Sequence, residues 1–169
     1  MSAIDEALRA NADYARGFTA GGLAAPPRRR LAILACMDAR LAVHRMLGLA
    51  EGDAHVIRNA GGIVDADALR SLIVSHHELG TQEFMLIHHT GCGMLGLRDD
   101  ALRARLRQAT GIDADAPSRF YGFADLEADL REQMAKIRAH PWIPSSVTVR
   151  GFIFDVATGR LREVAPTAR

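Results

Sequence analysis

The sequence is poor in cysteine. Its 169 residues contain two, Cys36 and Cys92. At most one disulfide could form, and in a reducing compartment a lone pair of cysteines more often serves metal or redox chemistry. Charge bias is missing too: the formal net charge is +1, which gives no push towards nucleic acid or an anionic membrane. No apolar run approaches the roughly 18 residues of a membrane helix. Residues Met1 to Tyr14 carry Asp5 and Glu6 and hold no apolar signal core, so a cytoplasmic protein is expected. Internal repeats and low-complexity tracts are also missing. What remains is 49% hydrophobic, the composition of a folded globular chain, and the length suits one domain spanning 1–169.

Periodicity divides that domain into an arm and an alternating body. Ser2 and Asp5 resemble a capping box, and Ile4, Ala7, Leu8 and Ala15 fall roughly on one helical face. Gly21-Gly22 and Pro26-Pro27 then break the chain, leaving residues 1–27 as a helical arm and linker. Arg28, Arg29 and Arg30 read as a solvated strand edge rather than a nucleic-acid patch. From Leu31 the pattern is β-α-β-α-β. Strands are expected at Leu31–Cys36, Ala54–Arg58 and Glu83–His88, with a short helix over Leu41–Leu47. A second helix is capped by Asp65, with Leu69, Leu72, Ile73, His76 and Leu79 on one face and Gly80 as its stop. Continuous apolar strands of this kind predict a parallel sheet covered by helices, with right-handed crossovers. Further on, Asp99–Gln108 reads as a helix with Leu102 and Leu106 inward, and Ala124–Ala139 as a longer one carrying Leu126, Leu130, Met134 and Ile137. A strand at Val147–Val156 and a short final strand at Leu161–Val164 complete the chain.

The chemistry gathers at strand ends. Cys36 closes the first apolar strand, and His89 with Cys92 sits in a glycine-rich turn after the third. In a parallel sheet, sites form beyond the carboxyl ends of strands. The three side chains therefore converge if those two strands are neighbours. Two thiolates and an imidazole leave one position of a zinc tetrahedron open, the pattern of a catalytic site. Neighbouring strand residues face opposite sides, so His88 and His89 cannot both reach it, and the H-x-x-C spacing favours His89. Asp38 and Arg40 lie two apart just past Cys36. Beside a metal, Asp38 can accept a hydrogen bond from a hydroxide, and Arg40 can keep Asp38 ionised and oriented. Backbone groups of Asn59 to Gly62 are expected to shape the pocket.

The ordered motifs Cys36-Met37-Asp38-Ala39-Arg40, Arg58-Asn59-Ala60-Gly61-Gly62 and His89-Thr90-Gly91-Cys92-Gly93 resemble the signatures of the β-class carbonic anhydrases. That resemblance implies Zn²⁺ on Cys36, His89 and Cys92, with Asp38 and Arg40 as a catalytic dyad. It also implies Asp38 as a zinc ligand in a closed form of the site. The fold it implies is a parallel-sheet core with an antiparallel C-terminal edge strand and an N-terminal helical arm. The reaction would be reversible hydration of carbon dioxide to bicarbonate and a proton. The assembly would be a homodimer or a tetramer of dimers, with the arm embracing a partner. Ala39 stands where many members carry serine, and the chain is short for the family. Two other readings remain open on sequence grounds: hydrolysis of carbon disulfide or carbonyl sulfide on the same scaffold, and a zinc-binding interaction protein without turnover.

Overall fold

A computed structural model describes residues 1–166. Helix α1 (Ala3–Arg16) opens on Ser2, whose side chain accepts from Asp5 N–H while the Asp5 carboxylate accepts from Ser2 N–H, the capping box read from the sequence. None of its residues is buried. The arm meets the body where the Tyr14 hydroxyl bonds Glu51. After the linker, Arg28 and Arg29 both reach the Asp53 carboxylate, at 2.8 and 3.1 Å.

The body holds β1 (Leu31–Cys36), α2 (Val43–Met46), β2 (Ala54–Asn59), α3 (Ala66–His77), β3 (Glu83–His89), α4 (Asp99–Thr110), α5 (Leu126–Arg138), β4 (Thr148–Phe154) and β5 (Leu161–Val164). The strands form one five-stranded sheet in the order β2-β1-β3-β4-β5. Pairings are parallel from β2 through β4, and β5 runs antiparallel on the edge. The expected architecture is therefore present, with β1 and β3 side by side.

Strand β1 is buried along nearly its whole length because both faces are covered. One face carries Ala32, Leu34, Phe84 and Leu86 against Leu72 of α3 and Leu130, Met134 and Ile137 of α5. The other carries Ile33, Ala35 and Ile87 against Leu41, Val43 and Ile63. Asp65 and Asp125 cap α3 and α5 by accepting backbone N–H bonds from the third residue on, which fixes where each helix starts. Gly151 of β4 lets α5 sit close: a Cβ there would come within 2.8 Å of Met134 Sδ. Leu130 is fully buried at this junction. Leu130→Ala is expected to lower unfolding free energy by about 2–5 kcal/mol, read by urea denaturation, since it leaves a cavity between helix and sheet.

One expectation needs correction. Helical spacing turns Leu102 and Leu106 of α4 inward, yet the helix buries no residue and Leu106 is 44% exposed. The helix lies outside the sheet layers, and Leu106 borders a groove shared with Ile112, Pro117 and Phe120.

Candidate metal centre

The adjacency of β1 and β3 brings their carboxyl ends together, and the three donors meet there. Cys36, His89 and Cys92 are buried, and their ligand atoms all lie within 4.8 Å of one another. The two sulfurs are 4.0 Å apart and unbonded. His89 Nδ1 faces the Thr90 carbonyl at 3.0 Å, so the proton belongs on Nδ1 and the Nε2 lone pair is free. That Nε2 is buried with no hydrogen-bond partner. An orphaned imidazole nitrogen is costly in a core unless something accepts its lone pair. A tetrahedral zinc with Zn–S bonds of about 2.3 Å places two sulfurs roughly 3.8 Å apart, close to the spacing seen. The donor set fits the ion.

His88 points to the other face of β3, where its Nε2 meets Asp129 Oδ2 at 2.7 Å. The strand alternation read from the sequence thus separates the two histidines. His76 and His77 divide between a half-buried and an exposed position, bonded to the Thr81 and Trp142 carbonyls.

Protons in the cluster are shared unequally. The Cys92 thiol beside it, then the His89 ring and the backbone N–H groups of Asp38 and Gly61, hold Cys36 well below the ordinary thiol range. Cys92 is pushed up in turn by the Cys36 sulfur and by burial. The Cys36 sulfur also lifts His89 above its usual value, against the opposing effect of burial.

At the rim, Asp38 and Arg40 form a two-pronged pair, Nε to Oδ1 at 2.9 Å and Nη2 to Oδ2 at 2.7 Å. The guanidinium, with the Arg40 backbone N–H at 2.9 Å from Oδ1, keeps the Asp38 carboxyl far below the usual carboxylate range. Arg40 Nη2 also donates to the Gly91 carbonyl at 3.0 Å, so it ties the turn after β1 to the loop bearing Cys92. Asp38 Oδ2 stands 3.8 Å from His89 Nε2, at the edge of the cluster and turned to Arg40.

The Asn59–Gly62 turn closes the remaining side. Asn59 folds it by accepting from Ile63 N–H at 2.8 Å and donating to Ile63 O at 2.7 Å. Gly61 N–H then points at Cys36 Sγ, 3.4 Å away. Gly62, at φ +70°, lies so close that a Cβ would be 3.0 Å from Cys36 N. Arg58 opens the second motif, and the sequence assigns it no role. Arg58 donates twice to the Cys36 carbonyl, at 3.0 and 2.8 Å, and once to the Asp38 carbonyl at 2.6 Å. Its position at the end of a strand beside the metal turn was the available signal.

A parallel α/β sheet bearing an open, three-donor Cys₂His cluster with an ionised Asp–Arg pair at its mouth defines a metalloenzyme class of site, since structural zinc takes four protein ligands. A family model described as carbonic anhydrase matches residues 31–161. The chain belongs to the β-carbonic anhydrase family. It is 48% identical over 166 residues to β-carbonic anhydrase 1 of Mycobacterium tuberculosis, covering 98% of this chain and 100% of that protein. The crystal structure of a carbonic anhydrase from Streptococcus mutans superposes with a TM-score of 0.91 at 41% identity, covering 98% of this chain and 99% of that one. A carbon disulfide hydrolase of Acidithiobacillus thiooxidans is 38% identical over 81% of this chain and 78% of its own length.

Proposed function

We propose that this chain catalyses reversible hydration of carbon dioxide, with Zn²⁺ held by Cys36, His89 and Cys92. The observation that carries the reading is the buried, partnerless His89 Nε2 facing two sulfurs beside an Asp–Arg pair. Zinc in such a site supplies Lewis acidity, bringing the ionisation of water within reach of physiological pH and so providing the nucleophile. The Asp38 carboxylate, which can only accept, takes a hydrogen bond from the attacking hydroxyl and thereby aims its lone pair at carbon. Arg40 keeps that carboxylate ionised and fixes its plane. The Arg58 guanidinium holds the Cys36–Asp38 turn through its carbonyls, and Gly61 N–H tempers the Cys36 sulfur.

Asp38 has a second role in the proposal, as a zinc ligand in a resting form favoured at lower pH. It is a carboxylate throughout the working range because Arg40 depresses its pKa, so the switch cannot come from its own protonation. It would come from Asp38 competing with water for a bound ion. With two thiolates among its donors, a zinc ion would carry little net charge and would acidify water less than a three-histidine site, where that pKa is ~7. Carbon dioxide hydration by zinc-replete protein, followed by stopped flow, is expected to rise with pH through the alkaline range. Sulfide release from carbon disulfide without carbon dioxide turnover would select the hydrolase reading, which the 38% relative favours less than the 48% relative favours hydration.

The assembly is proposed as a homodimer or tetramer of dimers in which the arm packs on a partner. Support comes from α1, which exposes Ile4 at 72% and Leu8 at 64% on one face. Sedimentation of Leu8→Asp beside the parent tests it, with a shift to smaller species expected. The proposed location is the cytoplasm; no helix among the described residues is long and apolar enough to cross a membrane.

A further inference from the structure

The side of β3 turned away from the metal donors carries a polar cluster that the proposed chemistry does not use. His88 and Gln133 are each 1% exposed, and Asp129 between them keeps 11% of its side chain exposed. His88 Nε2 meets Asp129 Oδ2 at 2.7 Å, Asp129 Oδ1 accepts from Gln133 Nε2 at 2.9 Å, and Gln133 Oε1 accepts from Val64 N–H at 2.9 Å. One chain of bonds thus joins the end of β3, two successive turns of α5 and the end of the Asn59–Val64 turn. Three apolar side chains would fill this volume without the desolvation cost of a carboxylate and an imidazole. His88 Nδ1 has no hydrogen-bond partner, so the ring is held through Nε2 and its stacking alone, and a polar network kept despite such costs serves to fix geometry.

Both ends of the chain lead to the metal centre. At one end the His88 ring stacks on Phe123, centroids 5.6 Å apart and planes 24° apart. Phe123 N–H donates to the Met94 carbonyl at 3.1 Å, and its own carbonyl accepts from Gly96 N–H at 2.7 Å. Those bonds fasten the loop that presents Cys92. At the other end, Val64 closes the turn whose Gly61 N–H faces Cys36 Sγ and whose Gly62 packs on the Cys36 backbone. The Cys92 loop and the Cys36 turn share few direct ties, chiefly Arg40 to Gly91 O. The polar chain supplies a second connection, from behind.

We propose that His88, Asp129 and Gln133 act as positioning residues that set the separation of the Cys36 and Cys92 sulfurs from the far side of the sheet. Asp129 is the centre of the device, since its two oxygens face the two ends. The proposal rests on the reading of Cys36, His89 and Cys92 as zinc ligands, and it rests on geometry rather than on any change of charge.

The test uses zinc-loaded full-length protein and two readouts besides turnover. One is the rate at which zinc passes to a chromogenic chelator. The other is the set of thiolate-to-metal charge-transfer bands after cobalt(II) substitution, which report sulfur geometry. Asp129→Ala is expected to release zinc about tenfold faster than the parent, the low end of the range for groups that orient metal ligands, and to shift the cobalt bands. Asp129→Asn, which still offers an acceptor to Gln133 and a donor to the other His88 tautomer, should restore most of both. Gln133→Leu cuts the link from Asp129 to Val64 while leaving the His88–Asp129 bond in place, and should also shift the bands. If Asp129→Ala does not fold, Gln133→Leu decides by the same readouts. Variants that melt earlier but release zinc and absorb like the parent would overturn the positioning role and leave a fold brace. A parent that binds no zinc would overturn the ligand reading itself, and this inference with it.

Discussion

Cys92→Ala is expected to lose nearly all its zinc on dialysis and to fall in carbon dioxide hydration by well over a hundredfold. The reason is donor count. Removing one sulfur leaves Cys36 and His89 as firm donors, with Asp38 engaged by Arg40, and two firm ligands hold zinc poorly against competing water and buffer. The loss should exceed the roughly 10–100-fold seen when a group that merely orients a ligand is removed. Collapse of the fold is not expected, because a single sulfur at the edge of the second core cluster is deleted and the sheet pairings do not involve it. Elemental analysis for metal, beside circular dichroism for fold, separates the two. Metal content near one per chain in the variant would remove Cys92 from the ligand set.

Arg40→Ala should behave differently: metal near parent content, activity lower by about 10–100-fold. Arg40 touches none of the donor atoms of Cys36, His89 and Cys92; it grips Asp38 by two prongs and Gly91 O by a third bond. Without it the carboxylate loses its orientation and its pKa climbs back towards the ordinary value. The sign follows from the shift. A carboxyl depressed in the folded protein contributes stability above its unfolded pKa and loses it as pH falls through the lower folded value. The parent's contribution from this pair is therefore intact above about pH 4, and the variant's activity deficit should persist at neutral and alkaline pH. Arg40→Lys, which cannot form the two-pronged pair, should recover only part of the rate. Parent-like turnover in Arg40→Ala at every pH would remove the dyad from the mechanism.

Much of this was legible in the residues. Leu31–Cys36 and Leu161–Val164 run in the structure as the apolar patterning and turn glycines require, and strand alternation alone assigned His88 and His89 to opposite faces. Placing Cys36, His89 and Cys92 at the ends of two apolar strands was enough to bring them together once those strands proved adjacent. Other parts carried little local signature. Arg58 works through carbonyl oxygens, which every residue has, so nothing in the sequence marks its partners. Asp129 and Gln133 look like ordinary i, i+4 polar residues until His88 and Val64 are found against them. Leu106 shows the limit of periodicity: spacing says which residues share a face of α4, while whether anything lies against that face is decided by tertiary packing.

The strand order carries a consequence for how the protein comes to be. Cys36 and Cys92 are 56 residues apart in the chain, and between them lie α2, β2, α3 and β3. No short segment can assemble the centre, because the chain must first close that loop, at an entropic cost, by seating β3 beside β1. Pairing of distant strands is among the slower steps of folding. Metal affinity should therefore emerge late, once the central pair of the sheet is in register. On the proposed ligand set, zinc would then act as a latch that slows the parting of β1 from β3, rather than as a nucleus around which the chain condenses.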